Sequence, residues 1–357
     1  MTVRKTRVFG LLALIVLLSG AMTTLNAANK PAFVITSTNA ATNQLLVYTP
    51  SGQLLQTLAT HGKGGVSGNA GGIAVDRNLL AVVNFGSSNV SIFQRHDDRY
   101  SFIEVVPAQS APVSVAFGRD HLYILGVTTV ESHPVWPDNV GDSPDGVATL
   151  LKGDGSAAQV GVLPGQLIVS EKSNTIETVG LEDGAVNGAA TLVSNIPANV
   201  NAPFGLITRG NDAYVTIAHA NEISLVRKDA VLTVTGSGTQ MAPCWLALDG
   251  PFLYSSNSPS KTVSRYAVYG QQIVQDAAIA ASFTGNPTDI DIRGGLVAVV
   301  DATTTTTNNV TSTVSRLSVF SEDEDGNLTN LSVSTINSAA NGVAVISDEP
   351  SPVAINY

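Results

Sequence analysis

The sequence predicts an all-β fold, a seven-bladed β-propeller built from four-stranded antiparallel blades. Three observations lead to this prediction: short apolar runs bounded by turn-forming residues, a long internal repeat, and two incomplete chain ends that complement each other. The repeat length of roughly 40 to 46 residues and the four strands within it are typical of a propeller blade. Six or eight blades remain open alternatives, because one repeat is irregular.

The apolar runs are mostly four to six residues long and lie between Gly, Asn, Asp and Pro. After the first 30 residues, no long stretch has the i, i+3, i+4, i+7 spacing of an amphipathic helix. This pattern predicts strands joined by tight turns.

Each repeat begins with a small residue followed by an apolar strand, a Gly/Asp turn and a second apolar strand. A proline commonly opens the first strand, where its missing N–H and fixed φ suit a chain turning in from the preceding blade. We assign this entry position to Ala70, Pro112, Ala158, Pro203, Pro243 and Pro287. Third strands follow at 89–95, 174–180, 221–227, 262–268 and 314–320. A less regular fourth strand completes each unit.

The two ends of the repeat array supply the missing parts of one blade. Residues 33–59 contain a second, third and fourth strand without a first, and residues 341–347 contain a first strand alone. Joining them closes the ring and leaves no open sheet edge. In blade 3, counted with the 33–59 blade as the first, we expect residues 130–144 to interrupt the second and third strands. The Thr/Asn tract at 303–313 predicts an enlarged loop.

The first 27 residues have the pattern of a secretory signal peptide. Arg4, Lys5 and Arg7 precede an apolar run and then small residues, and we expect cleavage near Ala27 or Ala28. Residues 28–357 then form a single propeller domain in an exported protein, periplasmic or secreted. An uncleaved anchor is the alternative.

The formal net charge of −10 argues against nucleic acid and anionic membranes as partners. A single cysteine excludes an intrachain disulfide. We expect a monomer with no membrane contact beyond the signal segment.

Strand order predicts where a ligand would bind. The loop into the first strand and the loop between the second and third strands lie on one face of every blade, so their residues surround one mouth of the central channel. The predicted ligand-binding residues at this mouth are Asn84, Gln159, Cys244, Trp245, Asn257, Asp289 and Asp301. Glu171 and His219 are the predicted catalytic residues, because a carboxylate or imidazole in such a position can act as a general base.

The repeat units resemble those of the lactonase family of seven-bladed propellers, which includes 6-phosphogluconolactonases, carboxymuconate-lactonising enzymes and proteins with YVTN-type repeats. The segment SAAQVGVLPGQLIVSEKSNTIETV at 156–179 is most similar to an exported bacterial subgroup. The resemblance implies that Glu171 occupies the place of a functional glutamate. The arginine that usually opens this blade is replaced by Ala157-Ala158-Gln159, so the expected cationic partner is absent.

Two functions follow from these observations. One is a lactonase-like enzyme that hydrolyses or forms a small lactone, with Glu171 or His219 as base and Gln159 or Asn257 as hydrogen-bond donor. The other is a non-catalytic propeller that binds a glycan, peptide or protein partner. No cofactor and no metal site are predicted. A divalent cation held by Glu171, Asp289 and Asp301 is the remaining alternative.

Overall fold

The structure is a computed structural model that describes residues 32–66, 71–196 and 202–348. The described residues form seven β-sheets, which are the blades of a propeller, and two one-turn 3₁₀-helices at Phe85–Ser87 and Ala218–Ala220. The predicted seven-bladed fold is therefore confirmed, and six or eight blades are excluded. The proposed signal peptide lies outside the described residues. Within the described ranges, no helix has the length and apolar character needed to cross a membrane.

Blade 1 combines strands from both ends of the chain. Its strands are β1 (Phe33–Ser37), β2 (Gln44–Tyr48), β3 (Leu54–Ala59) and β29 (Asn341–Ile346).

Blades 2 to 4 follow one another in chain order, each from its innermost to its outermost strand. The strands of blade 2 are β4 (Ile73–Asp76), β5 (Leu79–Asn84), β6 (Asn89–His96) and β7 (Arg99–Pro107). The strands of blade 3 are β8 (Pro112–Phe117), β9 (His121–Gly126), β10 (Thr129–Pro134) and β11 (Gly146–Thr149). Blade 4 contains β12 (Ala157–Leu163), β13 (Gln166–Glu171), β14 (Thr175–Glu182) and two short outer strands, β15 (Ala185–Val186) and β16 (Thr191–Leu192).

Blades 5 to 7 repeat the same order. The strands of blade 5 are β17 (Pro203–Arg209), β18 (Asp212–Ile217), β19 (Glu222–Arg227) and β20 (Ala230–Gly236). The strands of blade 6 are β21 (Pro243–Asp249), β22 (Phe252–Asn257), β23 (Thr262–Tyr269) and β24 (Gln272–Ser282). The strands of blade 7 are β25 (Asn286–Arg293), β26 (Leu296–Thr307), β27 (Val310–Glu322) and β28 (Leu328–Ile336).

The ring closes within blade 1, as the complementary chain ends predicted. Strand β29 pairs antiparallel with β1, so that Val34 lies opposite Val345. The hydroxyl of Thr36 donates a hydrogen bond of 2.6 Å to the carbonyl oxygen of Gly342, which adds a side-chain bond to the ladder. The two ends of the chain therefore share the continuous sheet of blade 1, and this blade has no unpaired strand edge between β1 and β29.

Burial differs sharply between the strands of one blade. The second strands β5 and β9 are buried along their whole length because neighbouring blades cover both faces of the sheet. The outermost strands β3 and β20 alternate between exposed and partly buried residues. The hydrophobic core thus lies between blades, and the inner strands surround the central axis.

The entry register of blade 4 differs from the sequence prediction by one residue. Ala157 lies opposite Glu171, as Pro243 lies opposite Asn257, so Ala157 and not Ala158 is the entry residue. Gln159 is therefore equivalent to Trp245 and Asp289, which come two residues after the entry residues of their blades. It is not equivalent to Cys244, which directly follows its entry residue. The sequence does not reveal this register, because blade 4 has no proline at its entry.

Two predictions about loops are wrong. Strand β10 includes His133, so the irregular segment of blade 3 is 135–145 and lies between the third and fourth strands. The tract at 303–313 is an extended hairpin of β26 and β27, in which Thr304 lies opposite Thr313 and Thr307 lies opposite Val310. The β-branched threonines favour this extended pairing.

Candidate functional site

A central cavity of about 350 Å³ lies on the axis of the ring, and residues from all seven inner strands line it. Most of the residues that line it have apolar side chains or are glycines. The polar side chains that line it are Gln159, Thr208, Asp289, Asp291 and Arg293. Its volume is within the range of small-molecule sites, and few, convergent polar groups in an apolar wall are typical of such sites.

Three residues near the start of the inner strands each tie one blade to the next, between blades 3 and 4, 4 and 5, and 7 and 1. Gln159 Oε1 accepts a hydrogen bond of 2.7 Å from the Leu206 N–H of blade 5. Ser114 Oγ accepts one of 3.3 Å from the Val160 N–H of blade 4. Asp289 Oδ2 accepts one of 3.2 Å from the Val343 N–H of blade 1. Two predicted ligand-binding residues, Gln159 and Asp289, therefore also hold the ring together.

Strand β25 contributes two carboxyl groups and a guanidinium to the cavity. In the sequence DIDIR, Asp289, Asp291 and Arg293 alternate with isoleucines, and alternate residues of a strand lie on one face. Asp291 Oδ2 accepts a hydrogen bond of 2.7 Å from the Val345 N–H of the closing strand. One wall of the cavity is therefore polar while the remainder is mainly apolar.

The two carboxyl groups have different pKa values. Burial raises the pKa of Asp289 to about 8, and the nearby charge of Asp291 adds to this rise. Burial also raises the pKa of Asp291, but only to about 6, since backbone N–H groups and the charge of Arg293 oppose the rise. The pKa of Asp289 is raised further than that of Asp291, so Asp289 keeps its proton to higher pH than its neighbour does. Such a separation allows one carboxyl group to act as an acid and its neighbour as a base.

A buried polar position recurs on the second strands. It is the last residue of the strand in blades 2, 4 and 6, and it lies within the longer strand β26 in blade 7. The residues are Asn84, Glu171, Asn257 and Asp301, and each is almost fully buried. The Asn84 side-chain amide lies at the centre of a hydrogen-bond network, donating to Ser91 Oγ at 2.7 Å and accepting from Thr60 Oγ1 at 2.8 Å.

Asn257 and Asp301 also make contacts within their own blades. Asn257 Nδ2 donates to Ser264 Oγ at 2.8 Å. Asp301 Oδ1 lies 3.6 Å from a guanidinium nitrogen of Arg316, and burial raises the pKa of this carboxyl group. Both side chains therefore connect the second and third strands of their own blades.

Glu171 holds the loop that enters blade 4. Its Oε1 and Oε2 atoms accept hydrogen bonds of 3.2 Å from the Lys152 and Gly153 N–H groups. Glu177 Oε2 accepts one of 2.8 Å from the Leu151 N–H of the same loop. Burial raises the pKa of Glu171, and it raises that of Glu177 to about 7. The predicted base is thus fully buried, with both oxygens bonded to backbone N–H groups.

His219 lies apart from this arrangement. It is exposed on the 3₁₀-helix that follows β18. In residues 32–66, 71–196 and 202–348, no hydrogen bond or ion pair joins it to Glu171. The structure does not bring the two predicted catalytic residues into contact.

Cys244 and Trp245 are both buried in the entry strand of blade 6. The Cys244 thiol donates to the Ala242 carbonyl oxygen at 3.2 Å, and burial raises its pKa to about 12. Trp245 packs edge-on against Phe204 with ring centroids 5.4 Å apart. Trp245 and Thr288 also line a second cavity of about 240 Å³ at the end of the ring where the first strands begin. We call this second space the upper cavity.

The three predicted oxygen ligands of a divalent cation are Glu171 in blade 4 and Asp289 and Asp301 in blade 7. Their carboxyl groups contact different partners: a loop of blade 4, the closing strand and Arg316. Among the described residues, no group of three His, Cys, Asp or Glu side chains is arranged to hold a metal ion.

Sequence reasoning missed Asp291 and Arg293, the two charged residues that share the central cavity with Gln159. It considered only loop residues at the mouth, whereas these residues lie within the inner strand. The alternation in DIDIR was the signal that could have identified them, because an apolar inner strand does not otherwise carry charges at every second residue.

Comparisons with known proteins identify the fold. The structure is similar to the periplasmic gluconolactonase of Pseudomonas aeruginosa, with a TM-score of 0.61, 16% identity, and coverage of 91% of this chain and 99% of that one. A candidate 6-phosphogluconolactonase from Bacteroides fragilis gives 0.61 at 13% identity, over 90% of this chain and 99% of the other. Virginiamycin B lyase from Staphylococcus aureus gives 0.54 at 12% identity, over 76% and 91%.

No family model matches the sequence, and the search of curated proteins finds no match. The chain thus has the fold of lactonase-like seven-bladed propellers. A lyase shares this fold with the lactonases, so the fold does not specify the reaction.

Proposed function

We propose that this lactonase-like propeller hydrolyses a small lactone in the central cavity, with Asp291 as the general base. The observation that carries the proposal is the presence of Asp291, Gln159 and Arg293 in the wall of one cavity of about 350 Å³. These side chains supply a base for water and a hydrogen-bond donor for the carbonyl oxygen, which serve lactone hydrolysis, and a cation that can bind a substrate carboxylate.

In the proposed reaction, the Asp291 carboxylate takes a proton from a water molecule, whose oxygen attacks the carbonyl carbon of the lactone. The Gln159 side-chain amide donates a hydrogen bond to the carbonyl oxygen as negative charge develops on it. The bond between the carbonyl carbon and the ring oxygen then breaks. The ring oxygen takes the proton from Asp291 and becomes the hydroxyl of a hydroxy acid, which restores the ionised base.

Glu171 remains a predicted base, and the structure supplies the reason for favouring Asp291 over it. Both carboxyl groups accept hydrogen bonds from backbone N–H groups, but Glu171 is fully buried against a loop, whereas Asp291 lines the cavity and has a pKa of about 6. Arg293 fills the role of the cationic partner that the sequence pattern lacks at the entry to blade 4.

The assay that tests the proposal measures hydrolysis of δ- and γ-lactones, with and without a carboxylate group, by proton release. We expect Asp291→Asn to lose at least about 100-fold in kcat/KM, as is usual for a removed general base. Asp98→Asn is a matched control on an exposed hairpin, with 69% of its side chain accessible, and should keep the wild-type rate. Full activity in Asp291→Asn, together with a loss in Glu171→Gln, would transfer the role of base to Glu171.

A non-catalytic binding function is supported by one observation. Gln159, Asp289 and Glu171 all accept hydrogen bonds from backbone N–H groups, which is what structural residues do. Calorimetric binding of a lactone or its hydroxy acid without any turnover by the wild-type protein would favour this second function.

The proposal also places the protein outside the cytoplasm. It is supported by the basic, apolar and small segments of residues 1–27, and one structural neighbour is a periplasmic protein. Amino-terminal sequencing of the protein recovered from the periplasm or the medium should give a chain that starts near Ala28. Recovery of the intact amino terminus in the cytoplasmic fraction would contradict export.

A further inference from the structure

Another cavity, of about 500 Å³, lies between blades 3 and 4. The β8–β9, β12–β13 and β14–β15 turns surround it. Because the first two of these turns follow the ends of first strands, the cavity lies on the face opposite the upper cavity, and we call it the lower cavity. Its volume is within the range of small-molecule sites. Its polar lining consists of Arg119, Asp120, His121, Tyr123 and Asp183.

The carboxylate of Asp145 orients the ring of His121. His121 Nε2–H donates to Asp145 Oδ2 at 2.9 Å, and the Ser132 hydroxyl donates to Asp145 Oδ1 at 2.6 Å. Burial acts to raise the pKa of Asp145, but the hydrogen bonds from Ser132 and His121 outweigh it and lower the pKa. The ionised carboxylate only accepts, so Nε2 carries the hydrogen and Nδ1 of the neutral ring has a lone pair.

This second ring nitrogen of His121 is available in the lower cavity. Nδ1 makes no hydrogen bond or ion pair within residues 32–66, 71–196 and 202–348. It is nevertheless not one of the fully buried polar atoms that lack a partner, and 10% of the side chain is accessible. The ring is therefore about nine-tenths buried and held in one orientation, while Nδ1 stays open to a hydrogen-bond donor from a ligand.

Gly184 keeps the space in front of Nδ1 free. Its φ is 91°, and an added Cβ would clash with His121 Nδ1 and lie 2.7 Å from His121 Cε1. A side chain here would occupy the position from which a ligand donor approaches the nitrogen. The Tyr123 hydroxyl donates to the Gly184 carbonyl oxygen at 2.8 Å, which fixes the glycine turn beside the imidazole. The absence of a side chain at Gly184 thus gives a ligand access to the ring.

The charges around the lower cavity favour a cation. Arg119 Nε lies 3.6 Å from Asp120 Oδ2, so these two exposed charges offset each other at the rim. Asp183 has no ion pair in the part of the chain that the structure describes. Asp145 adds a further negative charge behind the imidazole. A ligand with a positive charge is therefore attracted to this cavity and one with a negative charge is repelled.

We propose that the lower cavity binds a small primary amine, whose ammonium group donates a hydrogen bond to His121 Nδ1 beside the Asp183 carboxylate. An ammonium group has three donors and no acceptor, which suits a lone pair next to a carboxylate. The carbon chain of the amine lies against the apolar part of the lining, where its burial is favourable. The residues of that part include Val162, Leu163 and Leu181. This site is independent of the lactone hydrolysis proposed for the central cavity.

The experiment uses the imidazole signals of the ¹⁵N-labelled protein in long-range ¹H–¹⁵N correlation spectra. The chain has five histidines, and His121→Gln identifies the signals of His121. n-Butylamine is the probe, and the controls are n-butanol, which has no charge, and butyrate, which has the opposite charge. At pH 8 a primary amine is charged and an ordinary imidazole is neutral. We expect butylamine to shift the His121 signals in a saturable manner, with a Kd on the order of 1 mM.

Butanol and butyrate should bind at least about tenfold more weakly than butylamine, because neither brings a positive charge. The signals of His219, which is exposed outside the lower cavity, should stay unchanged. The proposal is overturned if butylamine leaves the His121 signals unmoved, or if butyrate binds as tightly as butylamine. Asp291→Asn, which tests the central cavity, should bind butylamine like the wild type.

Matched glycine variants separate a blocked site from a strained turn. Gly184→Ala places a methyl group against Nδ1, and we expect its affinity for butylamine to fall at least about tenfold. Gly165 lines the same cavity and has a φ of 76°, but an added Cβ there meets no atom within 4 Å. Gly165→Ala therefore has similar backbone strain and should bind like the wild type. Equal affinity in the two variants would show that the ligand does not reach Nδ1, which also overturns the proposal.

A pair of carboxylate variants tests the charge. Asp183→Asn removes the unpaired negative charge at the lower cavity and should weaken butylamine binding about threefold to tenfold. Asp98→Asn removes a carboxylate that is 69% accessible and lies outside this cavity, so it should leave the affinity unchanged. Isothermal titration calorimetry at low ionic strength measures both variants. Equal affinity of Asp183→Asn and the wild type would contradict the placement of the ammonium group beside Asp183.

Discussion

At the scale of single residues, buried carboxyl groups have two distinct uses in this protein. Glu171 and Glu177 accept hydrogen bonds from a loop, while Asp289 and Asp291 connect the last full blade to the closing strand and also line the central cavity. Burial raises the pKa of all four, so a raised pKa alone does not distinguish a catalytic carboxyl group from a structural one. Access to the cavity makes that distinction.

The proposed base predicts a specific pH dependence of turnover. Asp291 must be ionised to take a proton from water, and its pKa is about 6. We expect kcat/KM to rise with pH, with a midpoint near 6, and to fall about tenfold per pH unit well below it. Stopped-flow lactone hydrolysis from pH 4.5 to 8 measures this profile. A flat profile over that range would show that Asp291 is not the base.

Glu171 should be important for stability. In Glu171→Gln, one side-chain oxygen becomes an NH₂ group that faces a backbone donor, so one hydrogen bond is lost and two donors oppose each other. We expect the free energy of unfolding to fall by about 1 to 2 kcal/mol in urea denaturation. Glu324→Gln, on the exposed turn after β27, is the control and should change it by less than about 0.5 kcal/mol.

At the scale of elements, the order of the strands could be predicted from the repeat, because turn residues and apolar runs delimit the strands of each blade. The closing strand could be predicted, since both incomplete ends are visible in the sequence. The register of blade 4 could not, because Ala157-Ala158 lacks the proline that marks other entries. The loop partners of Glu171 were also inaccessible to sequence reasoning. They are separated from it by almost 20 residues and depend on the path of an irregular loop.

The closing strand β29 begins with a conformational requirement at Gly342. Its φ of 76° is in the left-handed region, and an added Cβ would lie 2.7 Å from Ile73 Cγ1 and 3.0 Å from the Gly72 backbone. Gly155 has a similar φ of 84° but no atom within 4 Å of an added Cβ. Alanine variants at the two positions therefore allow the cost of backbone strain to be measured apart from the cost of crowding.

We expect Gly155→Ala to cost about 1 to 2 kcal/mol of unfolding free energy, from the backbone conformation alone. Gly342→Ala should cost about 3 kcal/mol or more, because crowding adds to the same strain. Chemical denaturation of both variants measures the difference. Equal losses would show that blade 2 relaxes away from the added methyl group without a penalty.

At the scale of the whole molecule, buried carboxyl groups make the fold sensitive to alkaline conditions. Burial raises the pKa of Asp289 to about 8, of Glu177 to about 7 and of Glu322 to about 8, all well above their ordinary values near 4. The folded state therefore binds these protons more tightly than the unfolded state does. Their contribution to stability is fully present below about pH 4 and is lost progressively as pH rises toward 8.

We expect the Tm to be higher at pH 5 than at pH 8.5, as measured by calorimetry at constant ionic strength. Glu322→Gln keeps an acceptor for the Tyr254 hydroxyl, which donates to this carboxyl group at 2.6 Å, but cannot ionise. This variant should reduce the difference in Tm between the two pH values. A Tm that is unchanged or higher at pH 8.5 in the wild type would contradict the assignment of raised pKa values.

The closure of blade 1 sets an order of events during synthesis. Hydrogen bonds such as that from Thr36 to Gly342 span 306 positions of the chain, so β1 leaves the ribosome long before its partner β29 exists. Until then, the inner edge of β1 has no partner strand within its own blade. A chain that stops before residue 341 keeps that edge exposed indefinitely. Closure of the ring therefore waits for the synthesis of β29, and a product truncated before this strand keeps an unpaired sheet edge.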